Sequence, residues 1–140
     1  MSKIEKVLAT GKTHTTGNHN LVNLKLSPVG SEGPDYDFPA VVPHPTAEQL
    51  FAGAWSSCYI AAVNLVAHGM KVKLPADLAV DIEVDLGQTG EAYFLQARLA
   101  VSLPGLDRAT AEKLAHAADQ ICPYSKATRG NIDVVLTVRV

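Results

Sequence analysis

Two cysteines, Cys58 and Cys122, are the only thiols in a chain of 140 residues, and they lie 64 positions apart. Cys58 falls inside an apolar helical run, Phe51-Ala-Gly-Ala-Trp-Ser-Ser-Cys58 and onward to Val63. Cys122 falls where a second helix must stop, in Ile121-Cys-Pro-Tyr-Ser125. Any pairing between them would join two helices, and such a pair can cycle between dithiol and disulfide. Each thiol alone has a plainer reading as a small core residue. Apolar surroundings raise a thiol's pKa and leave it inert, and a helix C-terminus disfavours a thiolate. A nucleophilic Cys58 therefore needs a cation supplied by another element, and spacing alone does not name it.

Those thiols must be held by a chain with the means to fold. One domain over 1–140 is the natural partition, and the length suffices to bury a core. Hydrophobic residues at 47% against 19% charged argue for a soluble globular protein and against disorder. The net charge of −2, with 12 basic and 14 acidic residues interspersed, offers no patch for nucleic acid or an anionic membrane. The N-terminus lacks the apolar core of a signal peptide and no apolar run is expected to reach the length needed to span a bilayer, so the expected location is the cytoplasm, where a disulfide is more often catalytic than structural.

Residues 4–14 and 21–27 read as two strands joined by a turn-rich tip at 15–20. Residues 28–45 hold five of the eight prolines and read as a long loop. A helix is expected from Thr46, where Thr46-Ala-Glu-Gln49 has the form of a capping box, to His68, with Gly69 as its left-handed stop. Leu50, Ala54, Cys58, Ala61, Leu65 and Val66 share one face, yet Trp55, Tyr59, Ala62 and Val63 make the opposite side apolar too. Such a helix is buried by sheet or by a partner chain.

Residues 78–86 alternate, with Val80, Ile82, Val84 and Leu86 inward and Asp81, Glu83 and Asp85 on a solvated face. A turn at 87–90 returns the chain into a second strand over 91–103. Asp107 caps a helix over 108–121 whose inward stripe is Ala111, Leu114, Ala115, Ala118 and Ile121. Pro123 forces its stop, and residues 132–138 form a last strand. The order ββ-α-ββ-α-β makes one α+β domain.

Two stretches resemble the organic hydroperoxide resistance (Ohr) proteins of the OsmC-like superfamily. They are Thr46-Ala-Glu-Gln-Leu-Phe-Ala-Gly-Ala-Trp-Ser-Ser-Cys58 and Cys122-Pro-Tyr-Ser-Lys-Ala-Thr-Arg-Gly-Asn-Ile-Asp-Val134. The opening Lys6-to-Gly17 stretch and the Leu21-to-Ser27 strand also fit. This resemblance implies an OsmC-like fold with two central helices packed on antiparallel sheets, assembled as an intertwined homodimer. It also implies a cysteine-based peroxidase acting on organic hydroperoxides, with a dithiol reductant such as a lipoylated protein. On that analogy Cys58 is the peroxidatic thiol, Cys122 the resolving thiol, and Glu48 the carboxylate that orients an activating arginine. No cofactor or metal is called for.

The chain departs from the resemblance at that arginine. The family carries a Gly-Gly-Arg-Asp-Gly type of loop after its first strand. Here the stretch is shortened to Gly17-Asn-His-Asn20, and no arginine precedes Arg98. His19, Lys12 and Arg129 are the candidate cations in its place. Trp55, Tyr59 and Tyr124 are candidate walls of a substrate pocket; either Tyr124 and Ser125 lie near the thiols, or Tyr124 simply covers the helix end. Ten helical residues put Glu48 about 15 Å along the axis from Cys58, so the two cannot meet within one straight helix. A bridging residue or a second subunit must connect them. The alternative function is a non-peroxidase OsmC-like protein that binds a small apolar ligand. His14 and His19 lack a second liganding pair at a metal-site spacing, and Gly53-Ala-Trp-Ser-Ser57 lacks the last glycine of a hydrolase elbow.

Overall fold

The computed structural model describes residues 5–16 and 47–140. The expected strand at 21–27, the loop at 28–45, Thr46 of the capping box and His19 lie outside those residues. Within them the order is β1 (Lys6–Thr16), α1 (Ala47–Met70), β2 (Ala79–Thr89), β3 (Ala92–Ser102), α2 (Arg108–Ile121), α3 (Pro123–Thr128) and β4 (Asp133–Arg139). The four strands form one sheet in the order β1-β2-β3-β4. β1, β2 and β3 pair antiparallel, whereas β4 runs parallel to β3. An all-antiparallel sheet was the expectation. Parallel neighbours require a long crossover, and α2 with α3 supplies it between β3 and β4.

One face of α1 packs into the core. Trp55, Tyr59 and Val63 are fully buried there with Val80, Ile82 and Val84 of β2, Leu99 and Val101 of β3, and Ala111, Leu114, Ala115 and Ala118 of α2. The small α2 residues let that helix approach α1 closely. Ile121, expected on the same stripe, is 37% exposed, because α2 ends there and turns its last side chain outward. Contrary to the expectation that no apolar run is long enough, α1 has the length and composition to cross a membrane, because its apolar residues run on from Phe51 to Val66 with no charge between them; half of that stretch is buried within the fold.

Helix ends account for two further differences. α1 passes through Gly69 and ends at Met70, with Lys71 in the left-handed region at φ 56°. The Lys71 amide donates to His68 O at 3.1 Å and the Val72 amide to Ala67 O at 2.9 Å. That is the Schellman arrangement, with lysine where glycine is usual. Asp107 caps α2 as expected, its Oδ1 accepting from the Thr110 amide at 2.9 Å. Cys122 adopts ψ 119° ahead of Pro123, which ends α2 as the clash with proline demands. Yet Pro123 also opens α3, since proline is well suited to the first helical position.

The β2–β3 hairpin is tighter than the 87–90 turn expected from sequence. Thr89 pairs with Ala92, leaving Gly90 and Glu91 as the loop. Gly90 takes φ 59°, as the first position of a two-residue Gly-X hairpin requires.

The polar row of β2 is not a solvated face. Asp85 is 1% exposed and accepts from Arg98 Nη1 at 2.6 Å, Arg98 Nη2 at 2.9 Å and Gln96 Nε2 at 2.7 Å. Arg98 Nε also reaches Glu83 at 2.9 Å, and Arg139 reaches Asp81 at 3.1 Å. Alternation reports which side of a strand a residue occupies; it does not report what covers that side.

Candidate functional site

α1 and the α2–α3 junction bring the two cysteines together. Cys58 Sγ and Cys122 Sγ lie 3.2 Å apart, close enough for a hydrogen bond between thiols, and both are free. A bonded pair would lie at about 2.05 Å. Cys122 is fully buried and Cys58 only half-buried, so Cys58 is the sulfur with access to solvent.

Burial is the largest influence on the Cys58 thiol. The amide of Tyr124, which donates to its sulfur, acts in the opposite direction, and the adjoining Cys122 sulfur adds to the burial effect. The net result pushes its pKa up to about 11. Among the described residues no cation offsets that rise.

α1 and α3 are tied together next to the thiols. Trp55, one turn before Cys58, donates from Nε1 to Ser125 Oγ at 3.1 Å, and both residues are buried. Tyr59 donates from its hydroxyl to Ala115 O at 2.6 Å, fixing α1 on α2. Burial pushes the Tyr59 phenol up as well, so it stays protonated. Within α3, Thr128 Oγ1 bonds to Tyr124 O and Ser125 O, both at 3.1 Å.

The remaining sequence candidates distribute as follows. Arg129 donates from Nη2 to Asp119 Oδ2 at 2.7 Å and to Asp119 O at 3.0 Å, so its charge is engaged with α2. Lys12 lies on β1 opposite Glu83 in the strand register. Glu48 is half-buried in the first turn of α1, and no ion pair among the described residues includes it. Of the expected pocket residues, Trp55 is buried, Tyr59 is buried, and Tyr124 is 40% exposed.

Trp55 and Ser125 also line an open cavity of about 230 Å³, with Arg129 and Asp119 on its polar side and Ile132 and Val134 on its apolar side. Neither cysteine lines it. Among the described residues no three His, Cys, Asp or Glu side chains gather as a metal centre needs. Sequence reasoning missed the Trp55–Ser125 bond. The signal was present, because a buried indole N–H needs an acceptor.

Two thiols in contact across helices laid on one mixed sheet define a two-cysteine α+β protein. The sequence profile of the OsmC-like protein family matches residues 40–137. The organic hydroperoxide resistance protein of Xanthomonas axonopodis pv. citri is 37% identical over 99% of both chains. Among solved structures, an organic hydroperoxide resistance protein from Elizabethkingia anophelis superposes with a TM-score of 0.64 at 33% identity, covering 97% of this chain and 99% of that one. One from Legionella pneumophila gives 0.66 at 38% identity, covering 70% and 72%. The chain belongs to the OsmC-like family, within its organic hydroperoxide resistance branch.

Proposed function

We propose that the protein detoxifies organic hydroperoxides as a thiol-dependent peroxidase. The observation that carries this reading is the 3.2 Å approach of two unbonded sulfurs, one half-buried and one fully buried. The Cys58 thiolate attacks the distal peroxide oxygen, the O–O bond breaks, and the alkoxide leaves as the alcohol after taking a proton. Cys58 becomes a sulfenic acid. The Cys122 thiol then displaces its hydroxyl as water and forms the Cys58–Cys122 disulfide, which limits over-oxidation. A dithiol reductant, such as a lipoylated protein, restores both thiols and becomes a disulfide itself. The names of relatives such as those from Xanthomonas and Bacillus subtilis support the substrate class.

Activation is the step that the described surroundings leave open, because a Cys58 pKa of about 11 keeps the thiol protonated at neutral pH. We assign the missing charge to Lys12 or His19, with Arg129 a third choice because Asp119 already holds it. Glu48 would orient that cation. Tyr59 and Tyr124 with Trp55 would form the apolar side of the substrate pocket. We further propose a cytoplasmic homodimer, in which a second copy covers the outer face of α1.

The test is rapid mixing of the reduced protein with cumene hydroperoxide, followed by mass spectrometry. Formation of a Cys58–Cys122 disulfide within seconds, absent in Cys58→Ser, is the expected result. No reaction over minutes would sink the peroxidase reading. It would favour the second one, a non-peroxidase protein binding a small apolar ligand, for which the raised Cys58 pKa already speaks.

A further inference from the structure

α3 has only six residues, and so short a helix does not hold its shape or place by its own hydrogen bonds. Its first turn nevertheless carries two groups that must meet Cys58 closely: the Cys122 thiol at its N-cap and the Tyr124 amide. Something from the rest of the fold must fix that turn. The Arg129–Asp119 ion pair secures the far end of α3 to α2, where both side chains are partly exposed. Apart from the contacts at Cys58 itself, one hydrogen bond between side chains among the described residues runs from α3 to α1, and it is Trp55 Nε1 to Ser125 Oγ. Both partners are buried, so water does not compete for it.

We propose that Ser125 is the positioning residue of the thiol pair: its hydroxyl, held by the Trp55 indole, fixes the first turn of α3 on α1 and keeps Cys122 Sγ within reach of Cys58 Sγ. Trp55 precedes Cys58 by three residues and Ser125 follows Cys122 by three. The strut therefore joins the same two helices as the sulfurs, about one turn away on each. Without it α3 can move while both cysteines stay chemically intact. This inference rests on reading Cys58 and Cys122 as a redox pair.

The strut has its own reporter, since Trp55 is the only tryptophan in the chain. The experiment equilibrates the full-length protein with reduced and oxidised glutathione. Oxidised glutathione takes two electrons from the dithiol and yields two glutathione thiols and the protein disulfide, so the ratio gives the effective concentration of one cysteine at the other. Ser125→Ala should lower that effective concentration about tenfold, because closure must then fix a looser helix. Tryptophan emission should shift with it. Trp55→Phe, which removes the same bond from α1, should cost as much. Ser125→Thr keeps the hydroxyl, and Ser125 lies on the wall of the open cavity rather than deep in the packed core. It should stay within threefold of wild type.

An equilibrium within twofold of wild type in Ser125→Ala would overturn the assignment, and so would a Thr variant as impaired as the Ala variant. Glutathione needs no peroxide. A wild type that closes its disulfide with glutathione but ignores cumene hydroperoxide would therefore sink the peroxidase reading and leave this one standing.

Discussion

Cys58 presents a conflict between access and ionisation. It is the more exposed thiol of the pair, yet with a pKa of about 11 roughly one molecule in ten thousand would carry a thiolate at pH 7. Burial sets that direction, the Cys122 sulfur reinforces it, and the Tyr124 amide opposes it without prevailing. A working peroxidase needs the inflection below the free-thiol value of about 8.5, which takes a nearby cation. The alkylation rate of Cys58 by iodoacetamide, followed from pH 5 to 11 by mass spectrometry, reads this directly. Wild type should inflect below 8.5, and whichever of Lys12→Met and His19→Gln removes the activating charge should move the inflection up towards 11. A wild-type rate that climbs about tenfold per pH unit all the way from 7 to 10 would mean that no cation reaches the sulfur. The thiols themselves were plain in the sequence, and so was the need for a partner charge. Its source was not, because the resemblance breaks at Gly17-Asn-His-Asn20, the stretch that would carry it.

Elements were most legible where local chemistry decides them. Asp107 as a cap, Pro123 as a stop and the alternation of Val80, Ile82 and Val84 depend on neighbours within a few residues, and each is present in the fold. Features decided by distant chain were not legible. Asp85 alternates like a surface residue, but Arg98 and Gln96 arrive from β3 to surround it. α3 was hidden because Pro123 ends one helix and begins another. The end of α1 offers a direct test of such a difference. If Gly69 were the left-handed stop, Gly69→Ala would destabilise the protein. In the structure Gly69 is helical and exposed, with nothing within 4 Å of an added Cβ, and Lys71 carries the positive φ. Gly69→Ala should therefore stabilise by about 0.5–1 kcal/mol. Lys71→Gly should stabilise by a similar amount, roughly 0.5–1 kcal/mol, by relieving the left-handed strain. Urea midpoints at unchanged slope measure both; a lower midpoint in Gly69→Ala would place the stop back at residue 69.

At the scale of the whole molecule, α1 is apolar on two sides and the described residues bury one. Trp55, Tyr59 and Val63 face the sheet and α2, while Leu65 is 66% exposed and Leu50 38%. Leu50, Ala54, Cys58, Ala61 and Leu65 recur at helical spacing, so the thiol lies in the middle of this outer stripe. Ile121 and Tyr124 add further exposed apolar surface at the α2–α3 junction. An exposed apolar stripe of this kind marks an interface, and a second copy of the chain would close over Cys58 as it covered the stripe. The same closure answers the separation between Glu48 and Cys58, about 15 Å along one helix, since a partner subunit can supply what one helix cannot. We expect sedimentation at micromolar concentration to give twice the 14.8-kDa chain mass. Leu65→Glu, which puts a charge on an apolar contact without touching the chain's own core, should leave circular dichroism unchanged and return the mass to that of one chain. Cumene hydroperoxide turnover should fall with it if the partner completes the site. A wild type that sediments as a single chain would defeat the dimer. It would then leave the exposed stripe around Cys58 free to serve as the docking face for a macromolecular reductant.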